Sequence, residues 1–232
     1  MKKKKFRQGL KDGISIGLGY LSVSVGIGIT AVSSGMQALT AVLMSMTNLT
    51  SAGQAAGIAV IATGGALLEM ALVQLVINLR YSLMAISLSQ KVDSGFSTGK
   101  RLFLGAFITD EIFAVASTQD EVCPSYMYGL IIIPYIGWAL GTVLGAVAGT
   151  VLPFSVITAL SMAIYGMFIA IFVPAMKKSP GVVIAVLIAA TISAILKVVP
   201  VFSCISYGFS VIIASVTGAV AASFISWRKR SK

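Results

Sequence analysis

Four side chains stand out because their types do not suit their surroundings: Asn78, Arg80, Asp110 and Glu111. All lie in apolar stretches of a chain that is 57% hydrophobic and only 10% charged. A guanidinium facing carboxylates can hold an ion pair or bind an anion. Where acid exceeds base, the surplus acid can take up a proton or meet a ligand ammonium. Here two acids face one base. Eleven residues separate Arg80 from Lys91, about 16 Å along a helix. Nine separate Arg101 from Asp110, about 14 Å by the same rise. Both positions fall near the middle of a hydrocarbon core about 30 Å thick. On consecutive antiparallel helices they meet at matched depth, and pairing neutralises groups that each cost about 3 kcal/mol or more alone at that depth. Asn78, one turn outward, adds a hydrogen-bonding amide.

Inventory removes most catalytic chemistry. The chain has no histidine, so neither a Ser-His or Cys-His relay nor an H-E-x-x-H zinc site can be built. No G-x-x-x-x-G-K-[ST] phosphate loop occurs, so the chain does not itself hydrolyse ATP. Asp110 and Glu111 are neighbours about 100° apart on one helix, which prevents them from facing each other as an aspartyl dyad. No metal, no cofactor and no enzyme activity are expected. Glu69 lies about 33 Å from Lys91 along the helix, which places it at the outer interface, solvated.

A charge content this low, against about 25% in soluble domains, means that lipid solvates the surface. The expectation is an all-α, polytopic transmembrane bundle forming a single integral membrane transport domain over 1–232. Apolar windows predict about seven spans, near 13–33, 65–89, 100–118, 126–150, 156–176, 181–198 and 206–227. The stretch 36–64 differs. Two apolar runs too short to cross flank a polar, small-residue segment, which predicts a broken or re-entrant element near 47–57, with Gly53 and Gln54 at the break. Such backbone survives at membrane depth only when buried in protein or facing a watery cavity.

The net charge of +10 is clustered at Lys2–Lys5, Arg7 and Lys11, at Lys91, Lys100 and Arg101, and at Arg228, Lys229, Arg230 and Lys232. Clusters flanking spans are topological anchors that attract anionic headgroups of membrane lipid, and no nucleic-acid partner is expected. By the positive-inside rule the N-terminus and the 91–101 loop are cytoplasmic, and the acidic 119–124 loop lies outside. Seven spans then put the basic C-terminus outside, against the rule, so either one more crossing is hidden in 36–64 or 199–227, or the rule is broken here. Gly9, Gly13 and Gly17, and again Gly141, Gly145 and Gly149, form smooth stripes suited to close helix packing or, alternatively, to a partner subunit. Cys123 and Cys204 make no disulfide framework.

At the charged residues the sequence resembles the AzlC family, the large subunits of bacterial branched-chain amino-acid exporters. The resemblance is carried by Ala52-Gly53-Gln54, by Asn78-Leu79-Arg80-Tyr81-Ser82-Leu83-Met84 and by Thr109-Asp110-Glu111-Ile112-Phe113-Ala114, with Trp138 in the following span. It covers roughly residues 6–176. It implies export of leucine, isoleucine and valine, with methionine as a further candidate, by proton antiport, and a small membrane partner of the AzlD type. Where the family often has His after the Arg, this chain has Tyr81, so coupling would fall on Asp110 or Glu111.

The expected function is therefore secondary export of a small hydrophobic amino acid across the inner membrane. Gly53, Gln54, Asn78 and Arg80 are the candidate substrate-binding residues, and Asp110 and Glu111 the candidate proton-coupling acids. The competing readings are a passive channel and a non-transporting membrane scaffold.

Overall fold

The computed structural model describes residues 2–151, 179–202 and 204–230, with isolated positions between 153 and 177. The described chain is helical: α1 Lys2–Ser33, α2 Ala38–Thr47, α3 Ser51–Ala62, α4 Leu67–Ser89, α5 Thr98–Gly105, α6 Asp110–Ser117, α7 Pro124–Val151, α8 Pro180–Val198 and α9 Tyr207–Arg230. Among the described residues, five helices are long and apolar enough to cross a membrane: α1, α4, α7, α8 and α9. The protein is thus an all-α polytopic membrane bundle. The span expected at 156–176 lies outside the described residues.

Contacts divide the chain into two compact units, residues 1–55 with 78–162 and residues 56–77 with 163–232. In the first unit α1 and α7 are the spine. The glycine stripes make it. A Cβ on Gly13 would sit 2.7 Å from the Leu130 carbonyl oxygen, and one on Gly17 2.6 Å from the Ile133 side chain. From the other side, Gly129, Gly137, Gly141 and Gly145 leave even less room against the carbonyls of Phe6, Gly17, Leu21 and Val25. Residue numbers rise together along both helices, so α1 and α7 run parallel. Backbones this close leave no space for a side chain. Both stripes lie in the α1–α7 contact, Gly9, Gly13 and Gly17 against the first half of α7 and Gly141, Gly145 and Gly149 against the second half of α1, so both serve packing inside the chain. Gly145→Val, which adds three carbons against the Val25 carbonyl, is expected to destabilise the pair by about 1–3 kcal/mol. A lowered thermal midpoint of the detergent-solubilised chain checks this.

Two elements of this unit do not cross. The helix α1 ends at Gly35, whose φ of +88° suits the left-handed closing turn. The chain then turns back along α7: Ser45 meets Thr142, and the Tyr135 hydroxyl donates to the Met46 carbonyl at 3.1 Å. Ten residues of α2 bring the chain to mid-depth, where Asn48–Thr50 are non-helical before α3 begins. The break expected at 47–57 is present, but it is only three residues long. Gly53 and Gln54 lie just beyond it, buried in the first turn of α3.

The second such element corrects an expected span. Residues 100–118 are two eight-residue helices, α5 and α6, separated at Ala106–Thr109. They form a hairpin that returns to its starting end. Ring contacts of Phe103 with Tyr128 and Phe107 with Tyr135 carry α5 inward alongside α7. On the way back, α6 runs antiparallel to α1, from Thr109 beside Tyr20 to Gln119 beside Gln8. The ends are tied. Val92 and Val122 form a bridge pair, with Asp93 N–H on the Val122 carbonyl (3.0 Å) and Val122 N–H on that of Lys91 (2.8 Å). The Lys91 ammonium donates to the Ser117 and Gln119 carbonyls at 2.6 and 3.2 Å. The 119–124 loop therefore lies at the same end as the 91–97 loop, not opposite it.

In the second unit, Ala56, Val60 and Val73 form a buried cluster with Met70, Ile77 and Ile212 against it. Glu69 corrects another expectation. It is 3% exposed, and its Oε1 accepts the Gly208 N–H at 2.7 Å. Gly208 opens the first turn of α9, where unpaired N–H groups and the helix dipole favour an anion. The absence of a side chain there lets the carboxylate approach, since a Cβ on Gly208 would collide with it. Glu69→Leu is expected to cost about 1–3 kcal/mol by orphaning that buried donor, and Glu69→Gln much less because an amide oxygen still accepts. Thermal unfolding of the two variants measures the difference.

Candidate functional site

Both broken elements restart with a threonine cap. Thr50 precedes α3 and its hydroxyl accepts the Gly53 N–H at 3.3 Å; Thr109 precedes α6 and accepts the Ile112 N–H at 3.3 Å. Each hydroxyl satisfies a donor that a helix start leaves open. The depth follows from α1. Tyr20 sits beside Thr109, and twelve residues of α1 separate it from Gln8 at the loop end, about 18 Å. Thr50 and Thr109 thus bring two helix N-termini, the positive ends of their dipoles, to the interior of the first unit.

The charged pair lies there. Arg80 Nη1 is 2.8 Å from Asp110 Oδ2, the contact expected from their matched depths. The side chains are 39% and 30% exposed, so the pair is partly open. The second guanidinium nitrogen donates to the Tyr81 hydroxyl at 3.2 Å, and the guanidinium carbon lies 5.0 Å from the Tyr81 ring centroid. The Tyr81 hydroxyl donates to Thr50 Oγ1 at 3.1 Å. Arg80 is thereby linked through Tyr81 to the α3 start and through Asp110 to the α6 start.

Glu111 takes another direction. One residue on from Asp110, it points away from Arg80 toward α1, and the Tyr20 hydroxyl lies 2.6 Å from its Oε2 and 2.5 Å from Thr109 Oγ1. A phenol has one proton and an ionised carboxylate only accepts. With Glu111 ionised, Tyr20 donates to it and Thr109 donates to Tyr20. Both acids sit in the first turn of α6, where the dipole favours negative charge. The balance is one cation to two acids, with the surplus held by a phenol rather than a second cation.

A neutral polar chain runs alongside. Gln54, fully buried, donates from Nε2 to Ser45 Oγ; Ser45 and Thr142 share a 2.7 Å bond; Thr142 donates to the Trp138 carbonyl at 3.1 Å. This ties α3, α2 and α7 at one level. Along this chain Gln54 Oε1, an acceptor, and Trp138 Nε1, a donor, are buried with no hydrogen-bond partner among the described residues, as is Arg80 Nε in the charged pair. The Trp138 ring stands edge-on to Tyr20, with centroids 5.3 Å apart.

Of the expected residues, the structure brings Arg80 and Asp110 together and ties Glu111 and Gln54 nearby through Tyr20 and Ser45. Gly53 serves through its backbone N–H on Thr50. Asn78 is half-buried on α4, two residues from Arg80 and so on a different face of the helix. Sequence reasoning missed Tyr20, Thr50, Ser45 and Thr142. A cap signature, Thr followed by two acids, stood at 109–111 and marks a helix start rather than a helix middle.

The family model described as AzlC protein matches residues 15–152, more than half the chain. The inner membrane protein YgaZ of Escherichia coli is 27% identical over 150 residues, 62% of this chain and 61% of its own length. The chain thus spans less than two thirds of that relative. A membrane protein of Archaeoglobus fulgidus is 30% identical over 177 residues, covering 74% of this chain and 76% of its own. A membrane protein of Helicobacter pylori strain 26695 is 26% identical over 195 residues, 79% and 84% of the two chains. No solved structure matches.

Proposed function

This chain belongs to the AzlC family, and we propose that it is the large subunit of a secondary exporter of branched-chain amino acids. In this reading it sits in the inner membrane with its N-terminus cytoplasmic, works by proton antiport and pairs with a small AzlD-type membrane subunit. One observation carries the reading: two helix N-termini, an Arg-carboxylate pair and a surplus acid meet at mid-depth in one unit. Broken helices whose ends face a midplane site are how secondary carriers hold small charged solutes. A zwitterionic amino acid needs a cation or helix N-terminus for its carboxylate, and Arg80 with the α3 start at Ser51–Ala52 provides both. Its ammonium needs an acid and acceptors, which Asp110, Glu111 and Gln54 Oε1 supply. The basic residues at the start of α1 and in the 91–101 loop support a cytoplasmic N-terminal end.

Counterflow in proteoliposomes tests this. Vesicles loaded with unlabelled leucine are expected to accumulate labelled leucine, isoleucine and valine above equilibrium, and to do so more strongly when a small AzlD-type subunit is co-expressed. Equilibration without overshoot would favour a passive channel. No movement of any amino acid, with or without that subunit, would favour a scaffold.

A further inference from the structure

The first unit contains a half-open recess of about 130 Å³ apart from the charged site. It lies at the loop end, between the last turns of α4, the α5 helix and the start of α7. Its walls are apolar, with Leu88, Val92, Phe96, Leu104, Ile108 and Met127 among them. One cation lines it, Arg101. The neighbouring lysines are engaged elsewhere: Lys91 grips the Ser117 and Gln119 carbonyls, and Lys100 the Gly95 carbonyl at 2.8 Å. Arg101 is surface-exposed and makes no ion pair among the described residues. The inner end of the recess is formed by Gly105 and Ile108, and Ile108 immediately precedes Thr109, the cap of α6.

Size and chemistry limit the occupant. An apolar cavity of about 150 Å³ stays dry and admits a group the size of benzene. The recess is slightly smaller and so suits a branched side chain of about four carbons. An arginine at an apolar wall complements a carboxylate attached to that chain. No acid lines the recess, so an ammonium finds no partner there.

We propose that this recess is a second, loop-side binding site for an aliphatic amino acid, recognised by its side chain and carboxylate but not by its ammonium. It rests on the transport reading above and deepens it. The substrate docks first against Arg101 and the apolar wall, and then passes the α5–α6 break to meet the acids at mid-depth. The two sites recognise different parts of the molecule, so the selectivity of docking differs from the selectivity of transport.

Photolabelling of the full chain in liposomes locates the ligand without requiring transport. The probe is a diazirine analogue of leucine, and adducts are mapped by peptide mass spectrometry. Adducts are expected on peptides carrying Leu88, Leu104 or Met127. Excess leucine and 4-methylpentanoate should compete, and 3-methylbutylamine, which lacks the carboxylate, should not. Arg101→Gln is expected to lower this labelling at least about tenfold, the scale of a lost charge-assisted hydrogen bond. Arg101→Lys should restore part of it. Ala85→Leu, which fills the recess from α4, should lower it with the arginine intact. Labelling confined to the 78–84 and 109–112 peptides would overturn the proposal while leaving the mid-depth site standing. So would labelling that Arg101→Gln leaves undiminished, or that the amine blocks as well as the acid. Recess labelling with the expected competition, but no counterflow, would keep the binding site and remove the transport reading.

Discussion

Arg80→Gln is expected to reduce counterflow of leucine by about a hundredfold or more, and Asp110→Asn by a similar factor. In the intact chain Arg80 neutralises one of the two carboxylates at the start of α6 and remains partly open to a second anion. Without it, both acids repel each other and the substrate carboxylate. A lost charge-assisted contact to a carboxylate accounts for about 2–3 kcal/mol, hence about a hundredfold in binding. Folding should suffer less than for a fully buried pair, because both side chains keep roughly a third of their surface. The informative variant is the double one, Arg80→Gln with Asp110→Asn. It removes the pair without stranding either charge, so the thermal midpoint should recover relative to the single variants. Counterflow should not recover, because the anion site is gone. Recovery of both would mean that the pair only fixes helix register.

The sequence carried this pair because depth along a helix is arithmetic. Arg80 and Asp110 could be placed from the basic loop between them, and lipid makes unpaired charge at that depth costly. The fold around them was less legible, and 100–118 shows why. Its composition satisfies a hydropathy window, yet its length is divided between two half-depth helices, and a window sums residues without regard to direction. The cap at Thr109 was the missing clue. Treating the stretch as a crossing also put the 119–124 loop on the wrong end, although its acids lie beside carbonyls held by Lys91. Counted without it, the seven expected crossings become six, of which the one at 156–176 lies outside the described residues. Glu69 was misplaced for another reason. Its position on α4 was right, but its burial depends on Gly208, 139 residues away, and a single sequence does not reveal such a pairing. Tyr20 is similar. A tyrosine in an apolar helix looks like packing until the α6 acids are brought to its hydroxyl.

That tyrosine bears on the remaining expectation, which concerns coupling. Glu111→Gln should abolish uphill export while sparing leucine homo-exchange, whereas Asp110→Asn should impair both. Exchange returns the carrier loaded in each direction and needs no net proton movement. Under the proposed proton antiport, uphill export needs a group that binds a proton on one side and releases it on the other. The chain has no histidine, and arginine and tyrosine keep their protons near neutral pH, so a carboxylate must carry it. Asp110 is committed to Arg80 at 2.8 Å, which leaves Glu111, held only by a neutral phenol. Protonation there reverses the local hydrogen bonds. A neutral Glu111 donates to the Tyr20 oxygen, and Tyr20 then turns its proton to Thr109 Oγ1, the cap of α6. The proton on Glu111 is in this way registered at the helix start that also holds Asp110. Tyr20→Phe removes that link without touching the acid, so it should retain exchange but change the pH dependence of uphill export. The measurements are pH-driven export and homo-exchange on all three variants, at equal protein per liposome. If Glu111→Gln and Asp110→Asn both sustain normal pH-driven uphill export, the coupling assignment is wrong. If Tyr20→Phe matches the parent at every pH, Glu111 acts without the phenol and the bond is packing alone.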